Sequence, residues 1–236
     1  PDGTGFFTAA AQPCYHWDEV LALDSVSQAR RWEFKVPPQV EQFRFYVYVQ
    51  TPLLPVVVFD RLLGGNRDIW RVALDGSDLV RMTTNVSDDR DPTAGGGTMV
   101  FTTFRHGKTE LYSLPLKGGT ETRLTNTSTV NEGEPALTRA GTRLAYVSDA
   151  SIGVGKVWTA NADGTGAARA TPDDFGSDAE PEAGPGWHPV DNRLAFVATV
   201  SGTADVYDLT LGGTPSLVQG GATAEVDPGW SPDVVL

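Results

Sequence analysis

The sequence predicts an all-β fold, because short strand-like runs recur along it and no segment shows the periodicity of an amphipathic helix. An apolar run that ends in an aromatic residue returns about every 45 residues, which is a period typical of repeat architectures. These runs end at Phe59, Phe101, Tyr146 and Phe196. The 26 glycines and 16 prolines fall mainly between such runs, where they indicate turns.

The first 54 residues do not follow the repeat. Residues 31–36 and 42–50 alternate between apolar and polar side chains, as a strand with one buried face does. Residues 6–11 and 19–23 are weaker strand candidates. So small a sheet needs a partner to bury its face, so we expect residues 1–54 to be a β-sandwich-like fragment.

From residue 55 onward, each repeat contains three recognisable strands. In the second repeat they are predicted at residues 99–103, 110–116 and 121–125. A fourth, innermost strand is expected in the proline-bearing segment before each repeat. The middle strands place a second aromatic in register, namely Trp70, Tyr112, Trp158 and Tyr207. Four short antiparallel strands per repeat are the pattern of a β-propeller blade.

These repeats resemble the TolB-like and WD40-like (PD40) propeller repeats, whose pattern is Pro-x-Trp-Ser-Pro-Asp-Gly, an apolar run, an Asp-Gly turn and Arg-Leu-Thr. The matching residues are Pro228-Gly229-Trp230-Ser231-Pro232-Asp233, Pro185-Gly186-Trp187-His188-Pro189, Arg143-Leu144-Ala145-Tyr146, Asp75-Gly76, Asp163-Gly164 and Arg123-Leu124-Thr125. The second repeat departs from the pattern, since Ala94-Gly95-Gly96-Gly97 stands where Trp-Ser-Pro-Asp belongs. The resemblance implies a β-propeller over residues 55–236.

The number of blades depends on how the first repeat is completed. No innermost strand is recognisable before Val56, and the segment 224–230 has the character of one. We therefore expect about four blades, with a C-terminal strand closing the first, because closure removes exposed sheet edges. The alternative is that the chain is part of a larger ring, since rings of the family usually have about six or seven blades.

Acidic residues precede the repeat prolines at two fixed positions. Three residues before each proline stand Asp89, Glu132, Glu182 and Glu225, and one residue before stand Asp91, Glu134 and Asp227. Innermost strands line the channel of a propeller, so these seven carboxylates are predicted to gather at one mouth and to bind Ca²⁺ or a basic partner. The alternative interpretation is that they are solvated turn acids bonded to nearby backbone amides.

The composition of the chain and its lack of certain motifs argue against several classes of function. The net charge of −12 argues against a nucleic-acid partner and against adhesion to anionic lipid. No apolar stretch approaches the roughly 20 residues that span a bilayer. The single cysteine cannot form an internal disulfide, and neither a G-x-S-x-G elbow nor a phosphate-binding loop is present.

We therefore expect a non-catalytic binding scaffold that contacts a protein partner, with no membrane insertion and an oligomeric state that the sequence does not fix. The resemblance implies a periplasmic, cell-surface or secreted bacterial protein. One alternative is that the chain is the propeller of a hydrolase, such as a prolyl oligopeptidase-type peptidase, or of a lyase or glycosidase. The other alternative is that the chain is a purely structural spacer in a larger surface protein.

Overall fold

The computed structural model describes residues 3–6, 13–16, 55–150, 154–172, 175, 182–188, 192–200, 202–225 and 228. These residues form 17 strands and no helix. Near the N-terminus, β1 (Gly3–Phe6) pairs antiparallel with β2 (Pro13–His16). The sequence did not predict strands at these positions. The predicted strands at residues 19–23, 31–36 and 42–50, and all of 6–11 except Phe6, lie outside the described residues, so the β-sandwich-like fragment stays a prediction.

The chain divides into two compact units, residues 1–55 with 73–78 and residues 56–72 with 79–236. Four sheets follow one another from residue 56 onward. The first has three strands: β3 (Val56–Leu63), β4 (Asn66–Ala73) and β5 (Val80–Arg81). The second has four: β6 (Asp89–Gly95), β7 (Thr98–Thr103), β8 (Glu110–Pro115) and β9 (Thr122–Arg123).

The last two sheets repeat this order of four strands. The third contains β10 (Glu132–Leu137), β11 (Arg143–Ser148), β12 (Lys156–Asn161) and β13 (Ala168–Arg169). The fourth contains β14 (Glu182–Trp187), β15 (Arg193–Val200), β16 (Thr203–Thr210) and β17 (Ser216–Gln219). Strands pair antiparallel with their sequence neighbours in all three four-stranded sheets, which are propeller blades.

The predicted innermost strands are confirmed as β6, β10 and β14, and β10 packs against both of the others. The first blade has no such strand among the described residues. Only Pro228 is described beyond Glu225, so closure by a C-terminal strand stays a prediction. However, the Glu225 amide donates to the Ala204 carbonyl at 2.9 Å, as the Glu132 amide does to Thr109 at 3.0 Å where β10 begins.

The outermost strand of the second blade is shorter than the sequence predicts, because its backbone bends toward β8. The amides of Leu124 and Thr125 both donate to the Leu111 carbonyl, and Met82 and Thr83 repeat this arrangement with Ile69 in the first blade. The Arg-Leu-Thr motif thus ends a strand at its arginine. Its threonine hydroxyl accepts the Leu111 amide at 2.9 Å.

The core lies between successive blades, because successive side chains of a strand face the preceding and the following blade in turn. Met99 and Phe101 of β7 pack with Ile69 of the first blade, whereas Val100 packs with Leu144 of the third. Strands buried on both faces read as continuous apolar runs. The predicted equivalence of the aromatics is confirmed, since Phe101, Tyr146 and Phe196 are buried opposite Tyr112, Trp158 and Tyr207.

The second blade replaces the expected tryptophan with close backbone packing. In the fourth blade, Trp187 donates its indole N–H to the Ala136 carbonyl at 3.0 Å and thereby bridges two blades. At the other junction the Gly96 amide donates to the Arg139 carbonyl at 3.1 Å. A Cβ on Gly95 would lie 2.1 Å from the Thr138 carbonyl oxygen, so glycine is required for this approach.

Candidate functional site

Each innermost strand is interrupted at its proline by a bulge. The register shifts between Arg90 and Thr93 in β6, and equivalent shifts occur in β10 and β14. The residues before the prolines, Asp91 and Glu134, both have φ of 51°. Positive φ is uncommon for residues other than glycine, and such backbone strain clusters at functional sites. In β14, Gly184 stands at this position.

The bulges divide the predicted acids into two groups. Asp89 and Glu132 are buried, at 0% and 3% exposure, whereas Asp91 and Glu134 are exposed. Glu225 is half-buried, and its Oε2 has no hydrogen-bond partner. Glu182 begins β14, while its side chain and the whole of Asp227 lie outside the described residues. The structure therefore separates the buried Asp89 and Glu132 from the exposed Asp91 and Glu134, and the gathering of all seven acids at one mouth stays a prediction.

The exposed pair lies in an open cavity of about 390 Å³ between the second and third blades. Its lining combines three acids, one arginine, an aromatic ring and small or polar residues: Arg90, Asp91, Thr102, Phe104, Thr109, Asn131, Gly133, Glu134, Val147, Asp149 and Gly155. Negative charge exceeds positive charge on this lining, so the cavity favours cationic ligands.

Two of the charged side chains that line the cavity, Asp149 and Arg90, are bonded to neighbouring residues. Asp149 accepts hydrogen bonds from the backbone amide of Asn131 at 2.7 Å and from its side-chain amide at 2.8 Å. The Arg90 guanidinium bonds to Asp88 at 2.5 Å and lies 5.3 Å from the centre of the Phe104 ring. Arg90 is therefore already engaged, although it lines the cavity.

Asp91 is an exposed residue that lines the cavity. Desolvation by the surrounding protein and the nearby Asp60 carboxylate raise its pKa, and the charges of Arg90 and Arg67 together with a hydrogen bond from Thr102 partly offset this rise. The local potential is therefore negative, which favours a positively charged ligand.

Asp89, in contrast, is buried beside an arginine. The Arg105 guanidinium donates to its Oδ2 at 2.8 Å and also pairs with Glu121. Burial raises the pKa of Asp89, and interactions with Thr103 and Arg105 counteract the rise. This acid is an internal ion-pair partner.

Glu132 is buried without such an arginine. The Thr127 hydroxyl, 2.9 Å from Oε1 and 3.0 Å from Oε2, donates to its carboxylate. The adjacent Glu110 accepts from Arg123, the Thr125 hydroxyl and the Thr127 amide at 2.6, 2.7 and 3.0 Å. Burial, reinforced by the carboxylates of Glu110 and Asp149, raises the pKa of Glu132 to about 7 against the effect of Thr127.

No group of three or more His, Cys, Asp or Glu side chains within the described parts of the chain is placed to hold a metal ion. Asp89 and Glu132 lie in different blade junctions, and each already has bonding partners. The expected Ca²⁺ site therefore stays a prediction.

Sequence reasoning missed several residues of the site. Thr102 and Phe104 follow the buried aromatic Phe101 by one and three positions, and Val147 and Asp149 follow Tyr146 by the same intervals. All four line the cavity. The register of the aromatic residues was the signal that would have located them.

The fold is similar to solved propeller structures. A putative TolB from Agrobacterium tumefaciens matches 69% of this chain and 60% of its own, with 19% identity and a TM-score of 0.59. A nidogen/laminin complex matches 70% and 62%, with 13% identity and a TM-score of 0.52. A puromycin hydrolase matches 78% and 32%, with 17% identity and a TM-score of 0.58.

At these identities the likeness shows the fold alone, which is a TolB-like β-propeller. The chain spans less than two thirds of the length of each of these structures. Neither a protein-family model nor a curated protein matches the sequence. Within the described segments, no helix has the length and apolar character needed to cross a membrane.

Proposed function

We propose that this protein is a non-catalytic binding scaffold, and that a protein partner docks at the cavity between its second and third blades. The observation that carries the proposal is the placement of Asp91 and Glu134. Two bulges with positive φ hold these exposed carboxylates at one cavity of about 390 Å³. Backbone strain that presents an exposed side chain is retained where the side chain is used.

The charge of the site indicates the partner. Three acids and one engaged arginine line the cavity, and the whole chain carries a net charge of −12. Complementary charge steers association and excludes acidic competitors, so a basic segment is the expected contact. The similar fold within a nidogen/laminin complex supports a role in protein binding. The likeness to a bacterial TolB supports a periplasmic, cell-surface or secreted location.

The hydrolase alternative has weaker support. A puromycin hydrolase contains a similar propeller, but this chain spans only 32% of that protein. The described residues show no contact that favours this role over binding. At the described hairpin tip, His106 Nε2 lies 2.8 Å from the Tyr112 hydroxyl, and its ring stacks on the tyrosine.

Selection from a random peptide library displayed on phage tests the binding role. We expect enriched peptides to bind wild-type protein and to bind an Asp91→Asn/Glu134→Gln variant at least about tenfold more weakly, which corresponds to about 1.4 kcal/mol. Asp163→Asn is the matched control, because Asp163 is an exposed acid in the turn after β12, at the end of that strand away from Gly155.

A second double variant, with Asp163→Asn and Asp208→Asn, matches the number of charges removed. Both control proteins are expected to bind the peptides as the wild type does. Failure to enrich any peptide, or equal binding by the cavity and control variants, would contradict the proposed function.

A further inference from the structure

We infer that β17, the outermost strand of the fourth blade, is a pairing surface for a second copy of this chain, whose own β17 runs antiparallel to the first. The inference goes beyond the proposed function, because β17 belongs to a different blade from the two that form the cavity. It is based on a comparison of the outermost strands of the four blades.

In the first three blades, the outermost strand places an arginine directly opposite the second aromatic residue. The register pairs are Arg81 with Trp70, Arg123 with Tyr112 and Arg169 with Trp158. In the fourth blade, Leu217 stands at this position, opposite Tyr207. Charged side chains on an edge strand oppose its pairing with another chain. The fourth blade therefore lacks a protection that the other three carry.

The strand β17 is also longer than the other outermost strands, and it is open to solvent. It has four residues, whereas β5, β9 and β13 have two each. All four residues are exposed, with Leu217 at 57% and Val218 at 62%. Within the described parts of the chain, β17 pairs with β16 alone. Its outer edge thus offers backbone N–H and C=O groups and apolar side chains to an added strand.

The distribution of charge favours a second copy of the chain over a charged partner. Residues 209–224 contain no charged side chain, although the whole chain carries a net charge of −12. Two copies repel each other, so they approach at least cost where both surfaces are neutral. A basic partner gains little at this edge, because the carboxylate of Asp208, opposite Ser216 of β17, is already paired with Arg193.

Antiparallel pairing of identical strands makes the contact self-complementary. A two-fold axis through the middle of β17 joins two blades into one continuous sheet and brings Leu217 and Val218 of both copies together. Such a contact closes after two copies. The strand spans only about 13 Å, and Val218 is the extra residue of a bulge, which bends it. We therefore expect a weak dimer, with a dissociation constant in the micromolar range or above.

Sedimentation equilibrium of the intact chain, from low to high micromolar concentration, tests the inference. We expect a monomer–dimer equilibrium that shifts toward the dimer as salt rises, because salt screens the repulsion between two acidic copies. Amide hydrogen exchange identifies the surface involved. The backbone amides of residues 216–219 are expected to exchange more slowly at high protein concentration than at low concentration.

Two variants and one control complete the experiment. Leu217→Arg gives β17 the residue that the other three blades carry and should weaken the dimer at least about tenfold, because it places like charges across the shared edge. Val218→Lys is a second disruption of the same edge with the same expected effect. Val86→Arg is the matched control, because it adds the same charge to an apolar residue that is 94% exposed between β5 and β6. This control should not weaken the dimer.

Three results would overturn the inference. They are a chain that stays monomeric at the highest concentration, a dimer that both edge variants leave intact, and a dimer that Val86→Arg weakens as much as Leu217→Arg does. Leu217→Arg is expected to bind the selected peptides as the wild type does, so the proposed function is tested separately.

Discussion

The two blade junctions around the second blade carry an acid in the same register and neutralise it differently. Asp89 and Glu132 each stand at the start of an innermost strand, three residues before its proline, and both are buried. Asp89 bonds to the Arg105 guanidinium at 2.8 Å. Glu132 instead accepts the Thr127 hydroxyl at 2.9 Å, and its charged neighbours are the carboxylates of Glu110 and Asp149.

The difference originates in the hairpin that follows the second strand of each blade. In the second blade this hairpin supplies Arg105, which is 12% exposed and turns inward to the acid. The corresponding segment of the third blade, residues 149–155, contains neither arginine nor lysine. The repeat thus fixes where the acid lies, and the hairpin decides whether an arginine counteracts the effect of burial. Burial raises the pKa of both carboxyls, but only at Asp89 does an arginine oppose the rise.

The largest expected effect on the free energy of unfolding comes from removing Arg105. Arg105→Met leaves the Asp89 carboxylate buried without its cation, so we expect the free energy of unfolding to fall by about 3–5 kcal/mol at pH 7. Urea denaturation measures this. Adding Asp89→Asn to the same chain should recover much of the loss, because the uncompensated charge is then removed.

A half-exposed ion pair serves as the control for this prediction. Arg67 bonds to Asp60 at 2.5 Å with side chains 37% and 24% exposed, so Arg67→Met should cost less than about 1 kcal/mol. If Arg105→Met costs no more than this control, the two junctions do not differ as described.

The second junction should respond to pH. The folded pKa of Glu132, about 7, lies above the value of 4.5 for an unperturbed glutamate. The unfolded chain therefore loses this proton first. The stability that Glu132 contributes is present below about pH 4.5 and is lost as the pH rises to about 7.

Glu132→Gln removes this penalty. We expect the variant to be about 1–3 kcal/mol more stable than wild type at pH 8, with a smaller gain or none at pH 5, as measured by urea denaturation at both pH values. Glu134→Gln, on the same strand but exposed, should show no such dependence. A Glu132→Gln variant that is less stable at pH 8 than at pH 5, relative to wild type, would contradict the assignment.

The parts of the structure that repeat were predictable from the sequence. The aromatic register located β7 and β8, and the proline-bearing segments located the innermost strands, because residues at equivalent positions pack in equivalent environments. The division of the acids was not predictable, because glutamate rarely adopts positive φ and aspartate, although enriched there, does so in a minority of cases. Gly184 at the same position was the available hint. Arg105 lies in the hairpin between β7 and β8, outside the motifs that repeat, so its ion pair with Asp89 was also missed.

The smallest expected effect on stability concerns the Thr127 hydroxyl, which bonds to Glu132 at the junction that lacks a counterpart of Arg105. Thr127→Val removes the hydrogen bond to the Glu132 carboxylate but keeps the Thr127 backbone amide that bonds to Glu110. We expect a loss of about 1 kcal/mol at pH 8, and an upward shift of the pH at which stability levels off, because the ionised form loses its donor. Thr127→Ser keeps a hydroxyl and should behave like wild type. Equal losses in both variants would show that the methyl group of Thr127, rather than its hydroxyl, stabilises the junction.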